Sequence, residues 1–193
     1  MISAPSERED AALVAAALSG EDRAFTELMR RHKVTIYRFV RRYVGDASEA
    51  YDLVQETFVA AWSALSSYDS SRPMPAWLRK IALNKCRDWC RRRQVRSFFF
   101  LAAHMDSPSA KGVVAQDTAP DAADESKLMV LDAAIAMLPQ GLKEPLLLTV
   151  FEGLSQKEAA ETLGVSVKTI ETRIYRARQK IAQAFSEADS TDS

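Results

Sequence analysis

The sequence predicts an all-α protein: two small helical domains joined by a flexible linker, the second domain carrying a helix-turn-helix. Three observations predict it. Apolar residues recur at spacings of three and four along nearly every patterned segment. No run shows a convincing strand alternation. Between residues 103 and 126 the periodicity stops, and Ala, Ser, Asp and Pro dominate.

The first helix is short and Ala-rich, from about Glu7 to Leu18, and Ser19-Gly20 ends it. A long helix follows from about Glu21 to Val44, with Phe25, Leu28, Met29, Ile36, Phe39, Val40 and Tyr43 at helical spacing. Gly45 stops it, and Asp46 with Glu49 resembles a capping box for the next helix. That helix runs to about Leu65, with Leu53, Val54, Thr57, Phe58, Ala61, Trp62 and Leu65 expected inward. Ser66 to Pro75 reads as a loop, with Pro75 suited to the first turn of the helix after it. This helix extends to about Arg93, burying Trp77, Leu78, Ile81, Ala82, Cys86 and Trp89, and ends in Arg91-Arg92-Arg93. Phe98, Phe99, Phe100 and Leu101 either prolong it against the first domain or form a patch for a partner.

The second helical unit starts near Asp124 with the stripe Leu128, Leu131, Ile135 and Leu138. Pro139 to Lys143 is expected to break it, and Glu144 to Phe151 to form a short apolar helix. The expected boundaries are 1–97 for the first domain, 98–126 for the linker, 127–186 for the second domain and 187–193 for an acidic tail.

The helix-turn-helix lies at Gly153 to Ile181. Ser155 and Glu158 make a capping box for its first helix, and Ala159, Ala160 and Leu163 its apolar face. Gly164 supplies a turn that needs positive φ, and Ser166 caps the second helix. Ile170, Ile174, Ala177 and Ile181 face the partner helix. Lys168, Thr169, Glu171, Thr172, Arg173, Tyr175, Arg176 and Arg178 remain for the outer face. A recognition helix needs this division, one stripe holding it in its domain and another meeting phosphates and base edges.

Lys plus Arg number 26 and Asp plus Glu 26, so net charge decides nothing about a polyanionic partner. The segregation of charge is more telling. Basic residues gather at Arg30 to Arg42, Arg79 to Arg96 and Lys168 to Lys180, acidic ones at Asp46 to Glu56, Asp117 to Glu125 and Glu187 to Asp192. Cys86 and Cys90 stand four apart in a helical pattern, which suits small buried residues better than half a metal site and fits a disulfide poorly. His32 and His104 are too isolated to point to a metal. No P-loop, GxSxG or HExxH pattern is present, so neither catalysis, a small-molecule substrate nor a cofactor is expected. The absence of a signal core or spanning run predicts a cytoplasmic protein without membrane insertion.

These pieces, in this order, resemble the small two-domain extracytoplasmic-function group of bacterial sigma factors. DASEAYDLVQETFVAAW (Asp46 to Trp62) looks like the family helix that docks on the largest RNA polymerase subunit, which makes Asp52, Gln55 and Glu56 the expected polymerase-binding residues. PAWLRKIALNKCRDWCRRR (Pro75 to Arg93) resembles the segment that meets the −10 promoter element. The resemblance implies −10 contacts from Trp77, Arg79, Lys80, Asn84, Lys85, Arg87, Arg91 and Arg92, with Asn84 able to read a base edge. Trp77 also suits a plain core position. The preceding loop, Ser66 to Met74, corresponds to a pocket for a flipped-out base, but it has Ser70-Ser71-Arg72 and Met74 where Arg-Gly and an aromatic are usual.

In the second domain the resemblance assigns −35 recognition to the helix carrying Lys168 to Arg178. Lys143 replaces a common arginine, Ala159 a common isoleucine, and Glu171 stands where a basic residue is frequent. The partners so implied are core RNA polymerase, promoter DNA and an anti-sigma factor. A helix-turn-helix regulator with a receiver domain would need strands. An enzyme would need a convergent acid–base or metal cluster, and a DNA-free adaptor no basic recognition face.

Overall fold

The computed structural model describes the backbone of residues 5–103 and 122–191 and the side chains of residues 9–96 and 130–186. Regular structure among the described residues is helical throughout. The middle of the predicted linker lies outside the described residues, as do the side chains of Phe98 to Leu101. The chain divides into two compact units, Met1–Val40 with Ser48–Val114 and Arg41–Ala47 with Ala115–Ser193.

The first unit is built from α1 (Pro5–Leu18), α2 (Asp22–Val44) as far as Val40, α3 (Ala47–Ala64) from Ser48, a single 3₁₀ turn (Leu65–Ser67) and α4 (Met74–Ala103), while the last turn of α2 belongs to the second unit. Leu28, Ile36, Phe39, Leu53, Leu78 and Leu83 lie almost wholly out of water. Burying each such side chain is worth roughly 1.5–3 kcal/mol, which fixes which face of each helix turns inward. α1 is tied to α2 by polar contacts: His32 Nε2 lies 3.0 Å from Asp10 Oδ2, and Arg31 donates to Glu9 at 2.9 Å. Pro73 offers its carbonyl to the amides of Ala76 and Trp77, so α4 opens with Pro75 in its first turn, as predicted.

Two features of the first unit differ from expectation. Trp62 does not face inward; it is 44% exposed and packs edge-on against Phe25 at 4.8 Å. Its place is on the seam between α2 and α3, beyond the sector held by Leu53, Val54 and Phe58. The second correction concerns α4, which does not stop at Arg93 but continues to Ala103. Arginine is a good helix former, and neither Gly nor Pro intervenes before Pro108.

On α2 a carboxylate is clamped by its own helix. Arg30 donates to Glu27 through two nitrogens at 2.7 and 2.8 Å, and Arg31 through one at 3.0 Å. These bonds, Arg30 first, hold the Glu27 pKa down at about 2 from 4.5. A depressed carboxylate contributes stability that is present above its ordinary pKa and is lost as pH falls toward the folded value. An NMR titration should place the Glu27 midpoint near 2. Arg30→Ala should move it back toward the ordinary value; an unmoved midpoint would exclude the clamp as its cause.

The second unit contains α5 (Ala122–Met137), α6 (Gln140–Leu146), a π-helical turn (Leu147–Phe151), α7 (Gln156–Leu163) and α8 (Val167–Thr191). Ile135, Leu147, Leu148, Ile170 and Ala177 are fully buried where these helices meet. The expected break at Pro139 to Lys143 is shorter than predicted, because Pro139 caps α6, which begins at Gln140. Proline's fixed φ suits the residue that leads a chain into a helix. Pro145 lies inside α6 and supplies no N–H, and the chain widens into the π turn directly after it.

Candidate nucleic-acid interface and docking face

The helix-turn-helix forms as its sequence dictates. Ser155 Oγ accepts from the Glu158 amide at 3.2 Å while the Glu158 carboxylate accepts from the Ser155 amide at 2.8 Å, completing the capping box. Gly164 ends α7 in the left-handed region at φ 67°, where a Cβ is strained. Ser166 Oγ then accepts from the Thr169 amide at 3.2 Å and starts α8. The inner stripe of α8 is Ile170, Ile174 and Ala177, all buried, with Ile181 half-buried.

At 3.6 residues per turn, Lys168, Thr172 and Tyr175 fall on one outward line, with Glu171 beside it. All four are exposed, Tyr175 by 63%. Arg176 and Arg178 are exposed on either flank of that line, where a helix lying in a groove meets the two phosphate walls. Arg173 and Thr169 are half-buried and lie toward the sides. Gln179 was missed by sequence reasoning. It continues the Lys168–Thr172–Tyr175 line and donates to the Tyr175 hydroxyl at 2.9 Å. Its spacing of four from Tyr175 was the available signal.

On α4, Asn84 is exposed, with Trp77, Lys80, Arg87 and Arg91 on neighbouring positions of the same face. Arg91 is paired with Asp88. Lys85 and Arg92 sit on the edge nearer α3. Arg79 is not brought to this face; it lies about 140° round the helix from Asn84, at the margin of the buried side. Trp77 is half-buried, and its ring stands 5.2 Å from that of Tyr68.

The loop before α4 is internally braced. Tyr68 donates its hydroxyl proton to the Arg72 carbonyl at 2.6 Å, and Asp69 accepts from the Ser71 amide at 2.9 Å. Hydrogen bonds from Ser71, aided by the Arg72 charge, hold the Asp69 carboxyl below the usual range. Met74 is buried at 2% exposure, so the residue in place of the usual aromatic is a core side chain.

On α3, Asp52 and Gln55 are exposed and Glu56 is half-buried. Sequence reasoning missed the apolar stripe beside them. Tyr51, Val59 and Trp62 are 51%, 67% and 44% exposed, and with Gln55 they follow spacings of four, four and three. Tyr37 of α2 packs its ring 4.7 Å from Tyr51, and Val34 is exposed nearby on the same helix. The other side of α3 borders a groove of about 600 Å³ shared with α4 and lined by Glu49, Asp52, Glu56, Trp89, Arg92 and Val95. Trp89 donates its indole N–H to Glu49 at 2.6 Å across it.

Cys86 is buried and Cys90 half-buried, both as reduced thiols. Among the described residues no group of three or more His, Cys, Asp or Glu is placed to hold a metal ion. None of the described helices is long and apolar enough to cross a membrane.

Comparison with known proteins supplies the frame for these surfaces. Residues 28–96 match the Sigma-70 region 2 family and residues 128–181 the Sigma-70 region 4 family. The RNA polymerase sigma factor CnrH of Cupriavidus metallidurans is 42% identical over 95% of this chain and 97% of its own. The ECF RNA polymerase sigma factor SigF of Caulobacter vibrioides is 31% identical over 92% of this chain and 94% of its own. The solved structure of CnrH in complex with the cytosolic domain of CnrY covers 94% of this chain and 99% of that one, at 36% identity and a TM-score of 0.63. The fold is shared with RpoE of Bartonella quintana at a TM-score of 0.65 and 23% identity, over 84% of this chain and 96% of that one.

Proposed function

Since this chain belongs to the extracytoplasmic-function group of RNA polymerase sigma factors, directing promoter-specific initiation, we propose that three of its faces divide that work. Asp52 and Gln55, with the exposed Tyr51, Val59 and Trp62 beside them, dock on core polymerase. An apolar stripe bordered by acidic and amide groups fits a partner with cationic side chains around an apolar ridge. Lys80, Asn84, Lys85, Arg87, Arg91 and Arg92 meet the −10 element, Trp77 and the braced loop before α4 forming the wall nearest an unstacked base. Lys168, Glu171, Thr172 and Tyr175 read the −35 element, with Arg176 and Arg178 on the phosphates. Arg79 and Arg173, both half-buried, take a supporting rather than a direct part in this reading.

The observation that carries this reading is the division of α8 into a buried stripe and an exposed basic-polar line, on a capped helix-turn-helix. No catalytic step and no cofactor enter the proposal, and its place of action is the cytoplasm. A protein partner seated as CnrY is on CnrH would act as an anti-sigma factor by covering the docking surfaces. The test is direct. Purified chain added to core polymerase should co-purify with it and yield run-off transcripts from a defined set of promoters. A DNA-binding regulator would instead require another sigma subunit in the mixture, and an adaptor would yield no promoter-specific product.

A further inference from the structure

The family resemblance implies a docking role for Glu56, yet its carboxylate points across to α4. One oxygen, Oε2, lies 3.8 Å from Lys85 Nζ; the other, Oε1, lies 3.6 Å from Arg92 Nη2. Two cations about two helical turns apart on α4 are thus each matched to one oxygen of a single carboxylate. Both belong to the basic set of the −10 face. Asp52, four residues earlier on the same helix and lining the same groove, makes no ion pair among the described residues.

We infer that Glu56 is an internal counter-charge for the −10 cations, a positioning residue that competes with DNA phosphate for Lys85 and Arg92 and so holds down the DNA affinity of the free chain. The groups are 41%, 29% and 54% exposed for Glu56, Lys85 and Arg92, so the pairs are water-accessible and exchangeable rather than locked. A phosphate arriving at α4 must displace a carboxylate before it gains either cation. The carboxylate, once displaced, is left beside the docking face with its charge uncompensated, where a cationic partner side chain stabilises it. The two surfaces of the first unit therefore share one ionised group, and whatever binds one alters the other by the same factor. This inference rests on the reading of α4 as the −10 face.

The test uses the full-length chain and a fluorescein-labelled pool of single-stranded DNA about 20 nucleotides long, which offers α8 no duplex major groove to read. Glu56→Gln keeps shape and removes charge. It should tighten binding by about threefold to tenfold, the scale of one or two exposed ion pairs. The plot of log affinity against log salt should steepen by roughly 0.7 for each phosphate gained. Asp52→Asn removes an equal charge from the same helix and should change affinity less than twofold. In a Lys85→Ala/Arg92→Ala background the gain from Glu56→Gln should vanish, since nothing is left to release.

Equal gains from Glu56→Gln and Asp52→Asn, or a Glu56→Gln gain that survives loss of both cations, would overturn the inference in favour of a general field effect. An unchanged affinity in Glu56→Gln, where Lys85→Ala/Arg92→Ala still weakens binding, would overturn the counter-charge and leave the DNA face standing. Unchanged binding in Lys85→Ala/Arg92→Ala itself would overturn both.

Discussion

Asp52→Arg should lower the affinity of the chain for core polymerase at least tenfold, with little change in its stability or in its binding of DNA alone. Asp52 is exposed on α3, beside Gln55 and the apolar stripe of Tyr51, Val59 and Trp62. Close charge pairs across interfaces couple by about 1.5–7 kcal/mol, and reversal places like charge against the partner as well as removing the attraction. Surface substitutions away from packed or bonded groups usually shift stability by no more than about 0.5 kcal/mol. The measurement is equilibrium binding of labelled chain to core polymerase at two salt concentrations, with thermal melting as the control. Unchanged polymerase affinity would remove Asp52 from the docking face. Val59→Asp tests the apolar half of the same face and should weaken polymerase binding to a similar degree.

Glu171→Arg should re-rank −35 variants rather than weaken all of them. Glu171 occupies the first part of α8, exposed beside the line of Lys168, Thr172 and Tyr175. A carboxylate there accepts from cytosine N4 and disfavours a guanine edge, whose O6 and N7 are acceptors. Arginine inverts both preferences. A single base pair of discrimination is worth about 1–3 kcal/mol, so the preferred base at one position should change by a factor of about 5 to 150. Transcription from a panel of −35 variants gives the ranking. A uniform change across the panel, with the order kept, would assign Glu171 to the helix surface and not to base reading.

Most of the helical plan was legible because local rules and packing agree. The capping box at Ser155, the left-handed Gly164 and the cap at Ser166 each need only the residues within one turn. The buried stripe of α8 follows from spacing alone. What sequence missed depended on neighbours in space. Trp62 is apolar at helical spacing, but α2 covers only its edge through Phe25, and nothing in α3 itself reveals that. The full length of α4 is hidden in the sequence because a run of arginines resembles an end signal, whereas arginine sustains a helix.

The candidate sites were legible to different depths. Periodicity separated the outward from the inward side of α8, yet the bond from Gln179 to Tyr175 appears only when the two rotamers are seen together. On α4 the basic residues read as one group in the sequence. The helix in fact distributes them, Arg79 toward the buried side and Lys85 and Arg92 toward Glu56. Glu56 shows the limit most clearly. The resemblance to known docking helices gave it an outward role, while its actual partners are 29 and 36 residues away on another helix.

The central claim is that α4 and α8 read two separate stretches of one promoter while α3 holds polymerase. Selection from a randomised promoter library, transcribed by core polymerase carrying this chain alone, tests it most directly. Recovered templates should show two blocks of constrained bases, near −10 and near −35, at a preferred separation, with the upstream block altered by Glu171→Arg and the downstream block not. Recovered templates that show a single constrained block, or none above the starting library, would contradict the account.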